Sequence, residues 1–140
     1  MTRSDVIKVI TKELKTYSTA NSISLITENV KFDFDSIDEF LELYFMSAYN
    51  SEVTLDGKLR LNGIAQINVN VPKDTGTSRA LAIIEDLKNI YKTNGILTND
   101  YGSVHLAYVY EDGGSGDSEI SNVNDIYYTI YLTIEYKEFT

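Results

Sequence analysis

Apolar and polar residues alternate along one stretch of this chain: Leu59, Leu61, Ala65, Ile67, Val69 and Val71 are apolar, while Arg60, Asn62, Gln66, Asn68 and Asn70 are polar. A period of two predicts a strand with one face on a core. Pro72, the only proline in the chain, has no backbone donor with which to continue a central ladder, so the strand is expected to stop there. Lys73 to Thr77 is turn chemistry, and Thr77 or Ser78 caps the helix predicted next. Its apolar residues Ala80, Ile83, Ile84, Leu87, Ile90 and Tyr91 form one stripe. Asn94-Gly95 supplies a residue that tolerates a left-handed stop.

The same reading extends to both ends of the chain. A first helix is predicted from about Asp5 to Tyr17, capped by Ser4, with Val6, Ile7, Ile10, Leu14 and Tyr17 on one side and a break over Ser18 to Ser22. Ile23 to Phe34 has strand-like residues without a clean period and is given a short strand near Val30 to Phe32. Phe40 to Met46 alternates weakly and reads as a strand. A helix starting at Ser36, where Ser36-Ile37-Asp38-Glu39 resembles a capping box, is the alternative. Asp56-Gly57 is the strongest hairpin signal and joins Glu52–Leu55 to one strand running from Lys58 to Val71.

After the second helix, Val104, Leu106, Tyr108 and Tyr110 alternate with Ser103, His105, Ala107 and Glu111, predicting another strand. Asp112 to Asn124, rich in Gly, Ser, Asp and Asn, reads as an exposed, mobile loop. In the last predicted strand, Asp125 to Tyr136, the residues Ile126, Tyr128, Ile130, Leu132, Ile134 and Tyr136 share one face. Asp125, Tyr127, Thr129, Tyr131, Thr133 and Glu135 take the other. Helix, strands, helix, strands implies an α+β fold: a largely antiparallel or mixed β-sheet with two helices packed on one face, in a single domain over residues 1–140. No internal repeat is visible.

Composition narrows the chemistry. A chain of 140 residues can build a core without metal or disulfide staples, and zero cysteines exclude a disulfide framework, a thiolate zinc site and a cysteine nucleophile. Charged residues interrupt every apolar run of the N-terminus, so neither a signal peptide nor a membrane span is expected, and the product is expected to be soluble. Twelve basic residues against twenty-one acidic ones leave a formal charge of −9, which opposes general binding to phosphate backbones. Such a balance keeps a protein soluble. It would also let DNA slide past without sticking.

Catalytic material is scarce. His105 is the only histidine and falls on a predicted strand, where a half-exposed structural role is the simpler reading. Gly76-Thr77-Ser78 lacks the lysine that a phosphate-binding loop sets before its hydroxyl. Gly113-Gly114-Ser115-Gly116-Asp117 resembles a calcium-binding repeat, but its aspartate comes one position early and the unit occurs once. Asp33, Asp35 and Asp38 offer three carboxylates without the glycine and glutamate of an EF-hand loop. No enzyme, cofactor or metal site is expected. A ligand-binding module or a hydrolase using those three aspartates is the reading from another class.

The sheet's expected wet face is less ordinary. Gln66, Asn68, Asn70, Tyr127, Thr129, Tyr131 and Thr133 stand where solvent-facing strands usually carry lysine and glutamate, and the chain has eleven tyrosines but no tryptophan. Tyrosine buries its ring in a contact while its hydroxyl keeps a partner, so this face reads as a subunit or partner interface. The competing reading is that strands simply favour Tyr and Thr.

With these residues in view, Gly63 to Leu87 resembles the central motif of the tail terminator, or tail completion, proteins of long-tailed bacteriophages. The matching positions are Gln66, Ile67, Val69, Pro72, Thr75, Gly76 and Ala80, and the order of elements agrees over most of the chain. Ser36 to Tyr49 departs from the proline-rich approach that is more usual in that family. The resemblance implies a structural virion protein of the tail and neck, assembled in the host cytoplasm, that forms a homohexameric ring on the head-proximal end of the tail tube. Such a ring stops tube polymerisation and offers a docking surface for the head connector. The implied partners are other copies of itself, the tail tube protein and the head-tail connector protein, with DNA only passing through the lumen and no membrane contact. Another neck or head-tail joining protein of related fold is the alternative. A closed ring needs two different patches per subunit. The polar sheet face is a candidate for one, and the loops Ser51–Lys58, with Asp56 and Gly57, and Asp112–Asn124, with Gly113 and Gly114, are candidates for contact with the tube or connector.

Overall fold

The alternating segment forms β5 (Asn62–Pro72), a central strand that ends on the proline, in a computed structural model of the chain. The structure describes residues 3–27, 39–47, 52–53, 59–60, 62–72, 77–113 and 127–138. Its other elements are α1 (Arg3–Ala20), β1 (Ser24–Thr27), β2 (Phe40–Ser47), β3 (Glu52–Val53), β4 (Leu59–Arg60), α2 (Thr77–Ile90), β6 (Gly95–Asn99), β7 (Gly102–Gly113) and β8 (Tyr127–Glu138). Six strands form one sheet in the order β1-β2-β5-β8-β7-β6, with β3 and β4 paired separately. Only β1 and β2 run parallel among these pairs, so the α+β fold carries a mixed sheet.

The inner face of the sheet is built in cross-strand rows. Leu43, Ile67 and Leu132 align in one row, and Leu41, Val69 and Ile130 in the next. All six are at most 2% exposed. Both helices lay their stripes on that face: Val6, Val9, Ile10, Leu14 and Tyr17 from α1, and Ala80, Ile83, Ile84 and Leu87 from α2, share a single core cluster with those rows. Burying each large apolar side chain contributes about 1.5–3 kcal/mol, so the shared core supplies the main stabilisation.

Two hydroxyls tie the helices together. Tyr91 donates to the Ile10 carbonyl at 2.8 Å, and Tyr17 donates to Asp86 at 2.9 Å. Burial pushes both hydroxyls well above the ordinary tyrosine range, and at Tyr17 the neighbouring Asp86 adds to the effect.

Helix α1 differs from expectation at both ends. It encloses Ser4 and continues to Ala20, and Val9 takes the core position expected of Ile7, which is half-buried. Its end is closed by backbone bonds from Ile23 to Ser18 at 2.9 Å and from Ser22 to Thr19 at 3.3 Å, with Ser22 left-handed at φ 55°. These bonds satisfy carbonyls that the helix would otherwise leave open. At the end of α2, Asn94 is the left-handed residue, at φ 61°.

Further corrections concern the strands. The predicted run from Lys58 to Val71 is two strands: β4 pairs with β3, Glu52 opposite Arg60 and Val53 opposite Leu59, while β5 joins the large sheet. β1 at Ser24–Thr27 was not expected, and Val30 to Phe32 lies outside the described residues. β6 was not expected either; it forms a hairpin with β7 in which Asn99 faces Gly102. Val104 and Leu106 point into the core as predicted, but the register of β7 slips at Ala107. A bulge of one residue reverses the faces that follow. Tyr108 and Tyr110 are therefore 61% and 44% exposed, and Val109 packs against the core in their place.

Candidate interaction surface

Two halves of the sheet's outer face behave differently. In the first half, the row Phe40, Asn70 and Thr129 lies beside the row Ile26, Glu42, Asn68 and Tyr131. Phe40, Ile26, Glu42 and Asn70 are all buried. A buried carboxylate must be hydrogen-bonded, and Glu42 is: Asn70 donates to Oε1 at 2.8 Å and the Tyr44 hydroxyl donates to Oε2 at 2.5 Å. Thr129 completes the chain by donating to Asn70 Oδ1 at 2.6 Å. Burial, with a smaller contribution from the Glu42 charge, raises the Tyr131 hydroxyl above its ordinary range.

The second half is open. One row aligns Tyr44, Gln66, Thr133 and Tyr110, and the next aligns Met46, Ile64, Glu135 and Tyr108. Tyr44 is 38% exposed and Met46 50%, so with Tyr108 and Tyr110 the four strands present three tyrosines and a methionine on one contiguous surface. The alternation of strands β2 and β7 puts them there: positions 44 and 46 share a face, and the Ala107 bulge brings 108 and 110 round to meet it. A shallow groove of about 440 Å³ adjoins the patch between Ile64, Tyr108, Glu135 and Lys137.

The residues singled out from sequence fall on both halves. Gln66 and Asn68 are half-buried and bonded to each other, Nε2 to Oδ1 at 2.8 Å. Asn70 is 1% exposed and bonded within the chain, and Thr129 is bonded to it. Tyr131 is half-buried; Tyr127 pairs with Pro72 in the ladder. Gly113 ends β7 opposite Ile130, in a strand and not in the expected loop. Asp56, Gly57 and Gly114 lie outside the described residues, as do Asp33, Asp35 and Asp38. His105 is half-buried on the outer face, opposite Ile96 in β6 and Lys137 in β8. Tyr44, Met46, Tyr108 and Tyr110 were not singled out as contact residues. The first two carried a signal in their spacing, whereas the bulge that exposes the last two left none.

Among the described residues no three His, Cys, Asp or Glu side chains are grouped to hold a metal ion. No described helix is long and apolar enough to cross a membrane. The surface is suited to contact: aromatic and thioether groups bury area, with amides and hydroxyls between them.

Comparison with known proteins supplies a family and a fold. The family model described as phage tail terminator protein matches residues 5–136. One solved structure is similar over 100% of this chain and 98% of its own, with a TM-score of 0.76 at 18% identity, which shows a shared fold. Among curated proteins, none matches.

Proposed function

The chain belongs to the phage tail terminator family, and from that premise we propose that it forms a ring of identical subunits, six by family resemblance, on the head-proximal end of a tail tube. Membership itself makes it a structural component of the virion tail that meets other tail proteins. In the proposed role the ring stops tube polymerisation and presents a surface on which the head connector docks. The observation that carries the reading is the exposed patch of Tyr44, Met46, Tyr108 and Tyr110, on a chain whose helices already cover the opposite face of the sheet. Exposed aromatic and thioether groups set among amides and hydroxyls mark a contact between proteins.

The β3–β4 pair lies in the chain between β2 and β5, in the segment we assign to contact with a neighbouring ring. The net charge of −9 suits a lumen through which DNA passes without adhering. Light scattering and negative-stain images of the purified protein, alone and with tail tube protein, test the reading. Rings seated on tube ends support it. A monomer that never binds tubes would sink it.

A further inference from the structure

Helix α1 carries a basic stripe that the core does not use. Lys8, Lys12 and Lys15 recur at helical spacing on the side of α1 away from Val6, Ile10 and Leu14, and Lys8 and Lys15 are exposed. Lys12 pairs with Asp100 at 3.0 Å, and the Lys8 and Lys12 ammonium groups each lie 5.7 Å from the centre of the Tyr101 ring. Glu13 turns away, toward Asn99 at 3.4 Å. In a chain of formal charge −9, this stripe gathers three of the twelve basic residues on one helix face.

The tyrosine patch lies on the opposite side of the molecule, because α1 packs on the inner face of the sheet and the patch occupies the outer face. We infer that in the ring the α1 lysine stripe of one copy seats on the outer sheet face of the next, Lys8 and Lys15 meeting Tyr108, Tyr110 and Glu135. The inference rests on the ring reading and deepens it by naming both sides of the subunit contact. Two different patches on opposite sides are what a head-to-tail contact between identical subunits requires. Their chemistry is complementary. Lysine stems cover apolar surface, ammonium groups favour tyrosine faces, and Glu135 lines the groove beside Tyr108 although Lys137 lines it too. A nucleic acid is the weaker occupant for the stripe, since the acidic chain as a whole repels it.

Two double variants separate these possibilities: K8E/K15E breaks the stripe, and Y108S/Y110S breaks the sheet face. Sedimentation velocity is run on each variant, on an equimolar mixture and on the unaltered protein, with circular dichroism confirming the fold. The expected result is that each variant alone self-associates at least about tenfold more weakly, while the mixture, which retains one intact pair of patches, forms heterodimers and nothing larger. Rings formed by K8E/K15E as readily as by the unaltered protein would overturn the inference and leave the ring reading standing, as would lysine variants that lose only DNA binding. An unaltered protein that stays monomeric and forms no ring on added tail tubes would overturn the ring reading itself.

Discussion

Asn70 on β5, directly opposite Phe40, reaches diagonally across to Glu42 on β2 with its amide donating to the carboxylate at 2.8 Å, both side chains buried on what the alternation marks as the wet face of the sheet. The pair explains why that face holds an amide where a lysine would be usual: a lysine stem and charge would not fit a site closed from water. Asn70→Ala leaves Glu42 short of one donor and Thr129 without its acceptor. We expect a loss of about 3 kcal/mol, read as a lower urea midpoint. Thr129→Val, which removes only the last bond of the chain, should cost about 1 kcal/mol.

Stability should fall on the alkaline side. The ordinary tyrosine value is 10.0 and burial raises both Tyr17 and Tyr91 above it in the folded chain. Above pH 10 the unfolded chain releases protons that the folded chain keeps. The contribution is thus fully present below that pH and is lost as pH rises toward the folded values. Urea midpoints measured from pH 8 to pH 11 should decline above pH 10, and Tyr91→Phe should flatten that decline while costing about 1 kcal/mol at neutral pH. An unchanged slope in the variant would contradict the assignment.

Gly63 has a steric task. A Cβ there would lie 2.6 Å from the Tyr136 hydroxyl and 3.2 Å from the Met46 carbonyl oxygen, and Tyr136 is only 4% exposed. Gly63→Ala should therefore destabilise by about 1–3 kcal/mol. Adding Tyr136→Phe should recover part of this loss only, because the ring carbon would still lie 2.8 Å from the new methyl group. Thermal melts of the single and double variants check both statements.

The exposed patch should matter to assembly and not to folding. Tyr108→Ser and Tyr110→Ser remove side chains that are 61% and 44% exposed, so melts should move little, within about 0.5 kcal/mol. Self-association at micromolar protein should fall sharply in the same variants. Equal losses of stability and association would assign these tyrosines to the fold instead.

What the sequence discloses follows the strength of its periodicity. Strands β5 and β8 and helix α2 were legible because one face of each is buried, and burial writes a period of two or of 3.6 into the residues. β6 has a single buried apolar residue, Leu97, and follows the helix stop at Asn94-Gly95 directly, so its five residues show no period from which a strand could be read. The bulge at Ala107 carries no mark at all. An alternation continued through it assigns Tyr108 and Tyr110 to the core, and that error hid half of the exposed patch. The Glu42–Asn70 bond lay equally out of reach, since it depends on the register between two strands that are separate in the chain.

The proposed termination of the tail tube is tested most directly by following tube length. Purified tail tube protein is polymerised with and without this protein, and the lengths are measured in electron micrographs. Added protein should halt elongation, with one ring at one end of each arrested tube. Tubes that keep growing at the same rate, with no density added at either end, would contradict the account.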